Sequence, residues 1–444
     1  MNFRGFIAIL TAKISRLGIR VLGRTGSSTP GVLALKICPD LLSRLKMPEK
    51  TIIVTGSNGK TTTTELIYHA AVSQGLDIIC NNEGSNQIEG VTAMLVKNCN
   101  LGGKVRGDIA LIESDERYMQ YTCKSFVPTY VVLTNLYRDQ ITRNGSSEYV
   151  KGEVVKGLHD ESILIYNADD PVVASIANNR NGIPFGVAEA VLHDDYEEHA
   201  YNDGAYCPVC AAPMTYEYHV ASHVGKFRCT ACGFGRGEVK HEATAVDGDK
   251  LIIDGKFELV PQLMNMVFIY NNVAAFTTLT EAMGLSPEQA AEGLSNYRIV
   301  NNRFQDFDIN GHKGLFILAK HENSMAYNGA LTTAVDDPED KTIVVIVDRL
   351  SRKHVASDMS WLWDIDFSRL KDPTFKRVIL SGGFAHELAA RVMVAGVDPA
   401  KITVEPDFDK MMDTLYDNPV GNIYAMTCFT DVEKFTGRLR GKND

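Results

Sequence analysis

Residues 51–64 read Thr51-Ile52-Ile53-Val54-Thr55-Gly56-Ser57-Asn58-Gly59-Lys60-Thr61-Thr62-Thr63-Thr64. The β-branched run Ile52-Ile53-Val54 predicts a buried strand, and the strand stops at a turn bounded by Gly56 and Gly59. Beyond the turn, Thr61 to Gln74 has helical spacing, with Leu66, Ile67, Ala70 and Ala71 on one side. Strand, glycine loop, lysine, threonine, helix is the order of a loop that cradles phosphate. Neither glycine carries a Cβ, so backbone N–H groups can turn toward an anion. The N-terminus of the helix adds its partial positive charge. Lys60 is placed to reach the β- and γ-phosphates of ATP, and the Thr61 hydroxyl to complete a Mg²⁺ shell. The competing reading is an ordinary strand-to-helix turn, which leaves the agreement of residue types unexplained.

The chain has 444 residues, enough for two or three domains. Its net charge of −10 argues against a general nucleic-acid binder, which would present a basic face. Near the start, Phe6, Leu10, Ile14, Leu17 and Val21 fall on one helical stripe, and Lys13, Arg16, Arg20 and Arg24 on another. No acidic residue precedes Asp40. Two readings stay open: a helix packed on the next domain, or a basic helix lying on an anionic membrane surface. Lys13 interrupts the apolar run too early for a secretory signal. Nine cysteines without such a signal point to a reducing cytoplasm.

Alternating apolar runs and helical patterns predict strands over 51–55, 77–80, 109–113, 130–134 and 162–167. Such alternation implies a mostly parallel sheet covered on both faces, whose ligands collect at the carboxyl ends of the strands. Residues 200–242 break the pattern with clustered Gly, Pro, Cys and His. A second α/β series begins near residue 301, with strands expected over 315–319, 342–347, 377–381 and 422–426. The expected organisation is an amphipathic, basic segment over 1–47, an ATP-binding domain over 48–300 and a C-terminal α/β, Rossmann-like domain over 301–444.

Within the irregular stretch, Cys207-Pro-Val-Cys210 and Cys229-Thr-Ala-Cys232 form two C-x₂-C knuckles. Their spacing is that of a Cys₄ structural zinc site, in which four thiolates leave no open position for catalysis. A redox role for one pair competes with this reading. The other cysteines, Cys38, Cys80, Cys99, Cys123 and Cys428, are scattered and read as small buried apolar residues.

Polar clusters follow the predicted strands. Glu113-Ser-Asp115-Glu116 sits at a strand end, where Mg²⁺ would need an oxygen ligand; the bland alternative is a solvated acidic loop. Thr134-Asn135-Leu136-Tyr137-Arg138-Asp139-Gln140 follows the next strand, and Tyr270-Asn271-Asn272-Val273-Ala274-Ala275 falls on a helix. Together these segments resemble the Mur ligase family, which carries T-G-x-N-G-K-T-T, E-x-[SD], T-N-L-x-x-D and N-x-x-A-A in this order. The cysteine insertion, Asn81-Asn82-Glu83-Gly84-Ser85-Asn86 and Tyr137-Arg138-Asp139-Gln140 are similar to the MurT-like group, the synthetase subunits of lipid II isoglutaminyl synthase.

The resemblance implies a Mur ligase central domain and ATP-dependent activation of the D-glutamate α-carboxylate of the lipid II stem peptide. Ammonia from a partner glutaminase, GatD, would then give D-isoglutamine. On that reading Gly56, Asn58, Gly59, Lys60, Thr61 and Thr62 bind ATP, Thr61 and Glu113 hold Mg²⁺, Asn271 contacts adenine and Arg303 faces nucleotide. Asp358, in Asp358-Met-Ser-Trp361, matches an aspartate that completes the partner's catalytic triad in trans. An aspartate before a Ser-Trp run is equally a helix cap. Three stretches depart from the group's pattern: Asn302 replaces a glycine before Arg303, Lys320-His-Glu-Asn-Ser324 replaces Lys-Asn-Pro-Ala/Val-Gly, and the segment 348–357 is longer and more basic. A ligase that adds an amino acid stands as the alternative, with an NTPase whose zinc ribbon grips nucleic acid further behind.

Overall fold

The structure, a computed structural model, describes residues 1–21, 23, 28–82, 85–139, 144–191, 203–298, 304–319, 322–348, 358–427 and 429–440. They fall into two compact units. The first holds the described residues of Met1–Tyr137, Ser146–Tyr196 and Asp203–Arg298, and the second those of Arg138–Gly145 and Ile299–Asp444.

In the first unit, β1 (Lys50–Thr55), β2 (Ile78–Cys80), β3 (Ile109–Glu113), β4 (Tyr130–Leu133), β5 (Ile163–Asn167) and β6 (Gly182–Val187) pair in parallel in the order β2-β3-β1-β4-β5-β6. The near-continuous Val/Ile/Leu runs of β1, β3 and β4 belong to strands buried on both faces, as parallel sheets require. Met214–Ala221 (β7) and Val224–Cys229 (β8) form a separate hairpin. After it, β9 (His241–Asp247) joins β6 in parallel, then β10 (Lys250–Ile253) and β11 (Phe257–Leu259) extend the sheet antiparallel to nine strands. The sequence reading missed this extension, because its short strands alternate polar and apolar residues like surface loops.

The second unit is a six-stranded sheet. Here β12 (Phe304–Ile309) and β13 (His312–Leu318) form an antiparallel hairpin, and β13, β17 (Asn422–Thr427), β14 (Lys341–Ile346), β15 (Phe375–Ser381) and β16 (Ile402–Glu405) run parallel in that order. Alternation along β14 divides its core in two: Ile343 and Val345 pack on one face with Leu331, Phe367 and Leu388, Val344 and Ile346 on the other with Met411 and Phe435.

The N-terminal helix, Phe3–Val21, packs on the first unit, but not through the large apolar stripe that stands out in its sequence. Gly5, Ala8, Ile9 and Ala12 are its buried residues, in the core with Ala34, Leu41 and Leu42. The large apolar stripe points outward instead, with Ile14, Leu17 and Val21 61%, 65% and 78% exposed. Small side chains allow a close helix approach, and the neighbouring helix Thr29–Ile37 uses the same device. A Cβ on its Gly31 would lie 1.8 Å from the Glu89 carbonyl oxygen.

Candidate active site

The loop after β1 is pinned from two sides. Gly59, which precedes helix Lys60–Ser73, has φ +81°, a left-handed conformation that costs any other L-residue about 1–2 kcal/mol. A Cβ there would meet Asn271 Oδ1 at 2.2 Å, and one on Gly56 would meet Thr134 Oγ1 at 2.2 Å. Register places Thr55 opposite Leu133, so the residues after β4 run beside the loop. Asn58 N–H donates to Asn135 Oδ1 (2.8 Å), while Thr134 Oγ1 and Asn135 Nδ2 donate to the Asn58 carbonyl (2.8 and 3.0 Å). The Ser57 hydroxyl donates to the Tyr137 carbonyl and accepts from the Tyr137 N–H (3.1 and 3.0 Å). The Thr134–Tyr137 segment thus works as a clamp on the loop.

Charged groups gather around the first turn of the helix. Register sets Val54 opposite Glu113, which brings the end of β3 beside the loop. Thr61 Oγ1 donates to Glu113 Oε1 at 3.1 Å, so the two oxygens stand close enough to share one divalent cation. Glu113 is 5% exposed, which removes the solvated-loop alternative. Asn86 Nδ2 donates to the same Oε1 (3.1 Å), and the Asn81 side chain brackets the Glu113 backbone, donating to its carbonyl (2.9 Å) and accepting from its N–H (2.7 Å). Lys60 Nζ reaches Glu116 Oε2 at 2.8 Å and the Ser57 carbonyl at 3.2 Å, and it also contacts the Gly56 carbonyl. The sequence reading missed Glu116 as the lysine's partner and Asn81 and Asn86 as supports. Their signal lay in polar residues placed directly after short strands.

Thr62 lies in the same helical turn. Asn271, on helix Met266–Thr277, is 2% exposed and accepts from Thr63 Oγ1 at 3.2 Å. Its Nδ2 is buried without a hydrogen-bond partner among the described residues. A buried amide donor beside a glycine loop suits a bound polar ligand, because leaving it unsatisfied is costly. Gln140, Asn302, Arg303, Lys320 and His321, and the stretch 349–357, lie outside the described residues.

The four knuckle cysteines converge. Cys207 and Cys232 Sγ atoms are 3.8 Å apart, Cys210 and Cys229 3.5 Å, and all four lie within 4.8 Å of one another. Tetrahedral thiolates about 2.3 Å from zinc sit roughly 3.8 Å from each other, so the set fits that ion. The N–H groups of Cys232 and Ala231 hold the Cys229 thiol down at about 6, while the neighbouring cysteine sulfurs push the Cys232 thiol up. Cys38, Cys80, Cys99 and Cys123 are buried, and burial pushes the Cys123 thiol up to about 12. Cys428 lies outside the described residues.

The segment after the knuckles is tied to the sheet by buried charge. Arg236 Nε meets Asp169 Oδ1 at 2.7 Å; Tyr270 Oη and the Val187 N–H each donate to Asp169 Oδ2 at 2.7 Å. Burial raises the Asp169 pKa despite the guanidinium beside it. The next residue, Asp170, caps helix Pro171–Ala177 and accepts from the Leu136 N–H at 2.8 Å, which carries support to the clamp segment.

In the second unit, Asp358 is exposed and its Oδ1 accepts from the Ser360 N–H at 2.8 Å, opening the 3₁₀ turn Ser360–Asp364. That N–H holds its carboxyl below the usual carboxylate range. Asp358 thus stands one residue before the turn's N-cap, Met359, and holds the turn through Ser360. Trp361, within the turn, anchors it by packing its ring on Tyr327 at 5.3 Å. Asn323 caps helix Ser324–Val335 and donates to Asp139 Oδ1 at 3.0 Å, joining two of the segments singled out in the sequence.

Residues 54–210 match the Mur ligase middle domain, and residues 320–432 the MurT ligase C-terminal domain. The chain is 30% identical over 413 residues to the lipid II isoglutaminyl synthase (glutamine-hydrolyzing) subunit MurT of Staphylococcus aureus strain COL, covering 92% of this chain and 91% of the relative. The Streptococcus pneumoniae subunit of the same name is 26% identical over 453 residues, covering 100% and 98%. Among solved structures, a pseudomurein peptide ligase type C from Methanothermus fervidus superposes with a TM-score of 0.68 at 19% identity, over 91% of this chain and 81% of that one. MurF from Acinetobacter baumannii follows at 0.62 and 17%, over 92% and 80%. These two likenesses speak for the fold.

Proposed function

Because this chain belongs to the MurT subunits of lipid II isoglutaminyl synthase, within the Mur ligases, we propose that it amidates the D-glutamate α-carboxylate of the lipid II stem peptide at the expense of ATP. A carboxylate resists attack by ammonia because an oxide is a very poor leaving group. Transfer of the γ-phosphoryl group to that carboxylate releases ADP and makes the leaving group phosphate. Ammonia then attacks the acyl carbon, phosphate departs, and D-isoglutamine remains. The protein's part is positioning and charge neutralisation.

In this reading the N–H groups of the Gly56–Gly59 loop and the helix N-terminus hold the phosphates, with Asn58, Lys60 and Thr62 along the same path. Thr61 and Glu113 hold Mg²⁺, which supplies charge neutralisation between the phosphates when bound. Asn271 offers its buried Nδ2 to the nucleotide, and Arg303 adds a cation from outside the described residues. The Cys207, Cys210, Cys229 and Cys232 thiolates hold a structural zinc. Ammonia comes from a GatD-like glutaminase subunit, and Asp358 orients that partner's catalytic histidine in trans. ATP and reduced thiols suit the cytoplasm, where a lipid substrate is met at the inner membrane face. No helix among the described residues is long and apolar enough to cross a membrane.

The observation that carries the proposal is the Lys60–Thr61–Glu113 arrangement on a glycine loop, in a chain that spans nearly all of its MurT relatives. The test is amidation of lipid II by the chain with and without a glutaminase partner. We expect ATP-dependent product from ammonium with the chain alone, and from glutamine only with the partner. Product from a free amino acid, with none from either nitrogen source, would make it an amino-acid-adding ligase instead.

A further inference from the structure

We infer that helix Phe3–Val21 docks the enzyme on an anionic lipid bilayer through its outward apolar stripe. The claim rests on the proposal that the substrate is a membrane lipid, and it names the surface that meets the bilayer. Phe3, Phe6, Leu10, Ile14, Leu17 and Val21 are 38–78% exposed. At about 100° per residue they fall within an arc of roughly 80°, in a line about 27 Å long. Six large apolar side chains in one exposed line form a patch that a water-facing helix does not need. The helix is held by its opposite face, through Gly5, Ala8, Ile9 and Ala12 in the core, so the stripe is presented on a fixed support.

Charge decides between a bilayer and an apolar protein partner. The chain as a whole carries −10, yet no Asp or Glu precedes Asp40. Beside the stripe, a groove of about 320 Å³ is lined by Lys13, Arg16, Arg20 and Lys97, with Leu17 and Pro30 among its apolar walls. Lys13 and Arg20 sit along one edge of the stripe on the same helix. An interfacial helix needs this arrangement: apolar side chains enter the acyl boundary while flanking cations meet lipid phosphates. The cations concentrate where an otherwise acidic protein would be repelled by an anionic surface.

The test is flotation of the full chain with vesicles of phosphatidylcholine alone or with phosphatidylglycerol added. We expect flotation with the anionic vesicles, little with the neutral ones, and loss as salt is raised. Ile14→Glu/Leu17→Glu should reduce anionic-vesicle binding about tenfold or more, and Lys13→Glu/Arg20→Glu should do the same. All four side chains lie outside the described active site, so both variants should keep wild-type melting and wild-type ammonium-driven amidation of lipid II in detergent. That activity assay fails by itself if the proposed reaction is wrong, while vesicle binding does not depend on it. Equal flotation with neutral vesicles, or wild-type flotation of both variants, overturns the inference. So does loss of glutaminase co-purification, or dissociation of a dimer, in Ile14→Glu/Leu17→Glu, since the stripe would then be a protein interface.

Discussion

Lys60 and Asp358 are the two charged residues the proposed reaction needs most, and the fold holds them differently. The Lys60 side chain is 11% exposed, with Glu116 at 2.8 Å and two loop carbonyls around it. Its neighbours Thr61, Glu113, Asn86 and Asn81 form a chain of hydrogen bonds that leaves little freedom. Asp358 stands exposed, held through Ser360 and by the anchoring of Trp361. Phosphoryl transfer tolerates little misplacement, so its residues are locked within one unit before ligand arrives. A group that acts on another protein's histidine must stay open until that protein docks.

The largest effect should come from the locked region. Lys60→Met is expected to lower amidation on the order of a thousandfold with either nitrogen source, because it removes the cation beside the transferring phosphate. A loss confined to glutamine would break the contrast. Glu113→Gln should cost roughly a hundredfold and raise the Mg²⁺ concentration needed for half-maximal rate, as read from a metal titration. The Thr61–Glu113 pairing loses its role if the metal requirement stays unchanged.

Cys229→Ser sharpens the contrast from another side, since the ribbon lies in the same unit as the locked site. It should release zinc, measurable by elemental analysis, and lower the melting temperature by about 5 °C or more. Arg236 and Asp170 link this region to the clamp segment, so some ammonium-driven activity should fall with it. Full zinc content in the variant would remove the Cys₄ assignment. The smallest effect is expected from Gly59→Ala, about 1–2 kcal/mol of strain read as lost stability in denaturant unfolding, with weaker ATP binding from the displaced Asn271.

The nucleotide loop was legible in the sequence because its chemistry is local. Gly56, Gly59, Lys60 and Thr61 lie within six residues, and each residue type has one conformational or chemical use there. The parallel strands were legible for a related reason: burial on both faces demands unbroken apolar runs, as in Ile52–Val54 and Ile343–Val345. Contacts between distant segments were not legible. Glu116 beside Lys60 depends on strand register, which no local pattern reports, and Asn271 came to the nucleotide site only through the family resemblance. The N-terminal helix was legible as a helix, but not in the face by which it packs. Periodicity selects the largest apolar side chains, whereas close helix packing selected Gly5, Ala8 and Ala12 and left the larger ones outside.

The most direct test of the division between the two regions is the rate of lipid II amidation by Asp358→Asn, assayed in complex with the glutaminase, with glutamine and with ammonium. The substitution keeps the Oδ1 that accepts from Ser360, so the turn should remain folded. We predict a glutamine-driven rate at least about a hundredfold lower, with an ammonium-driven rate equal to wild type. Equal loss of both rates, or loss of neither, would contradict it.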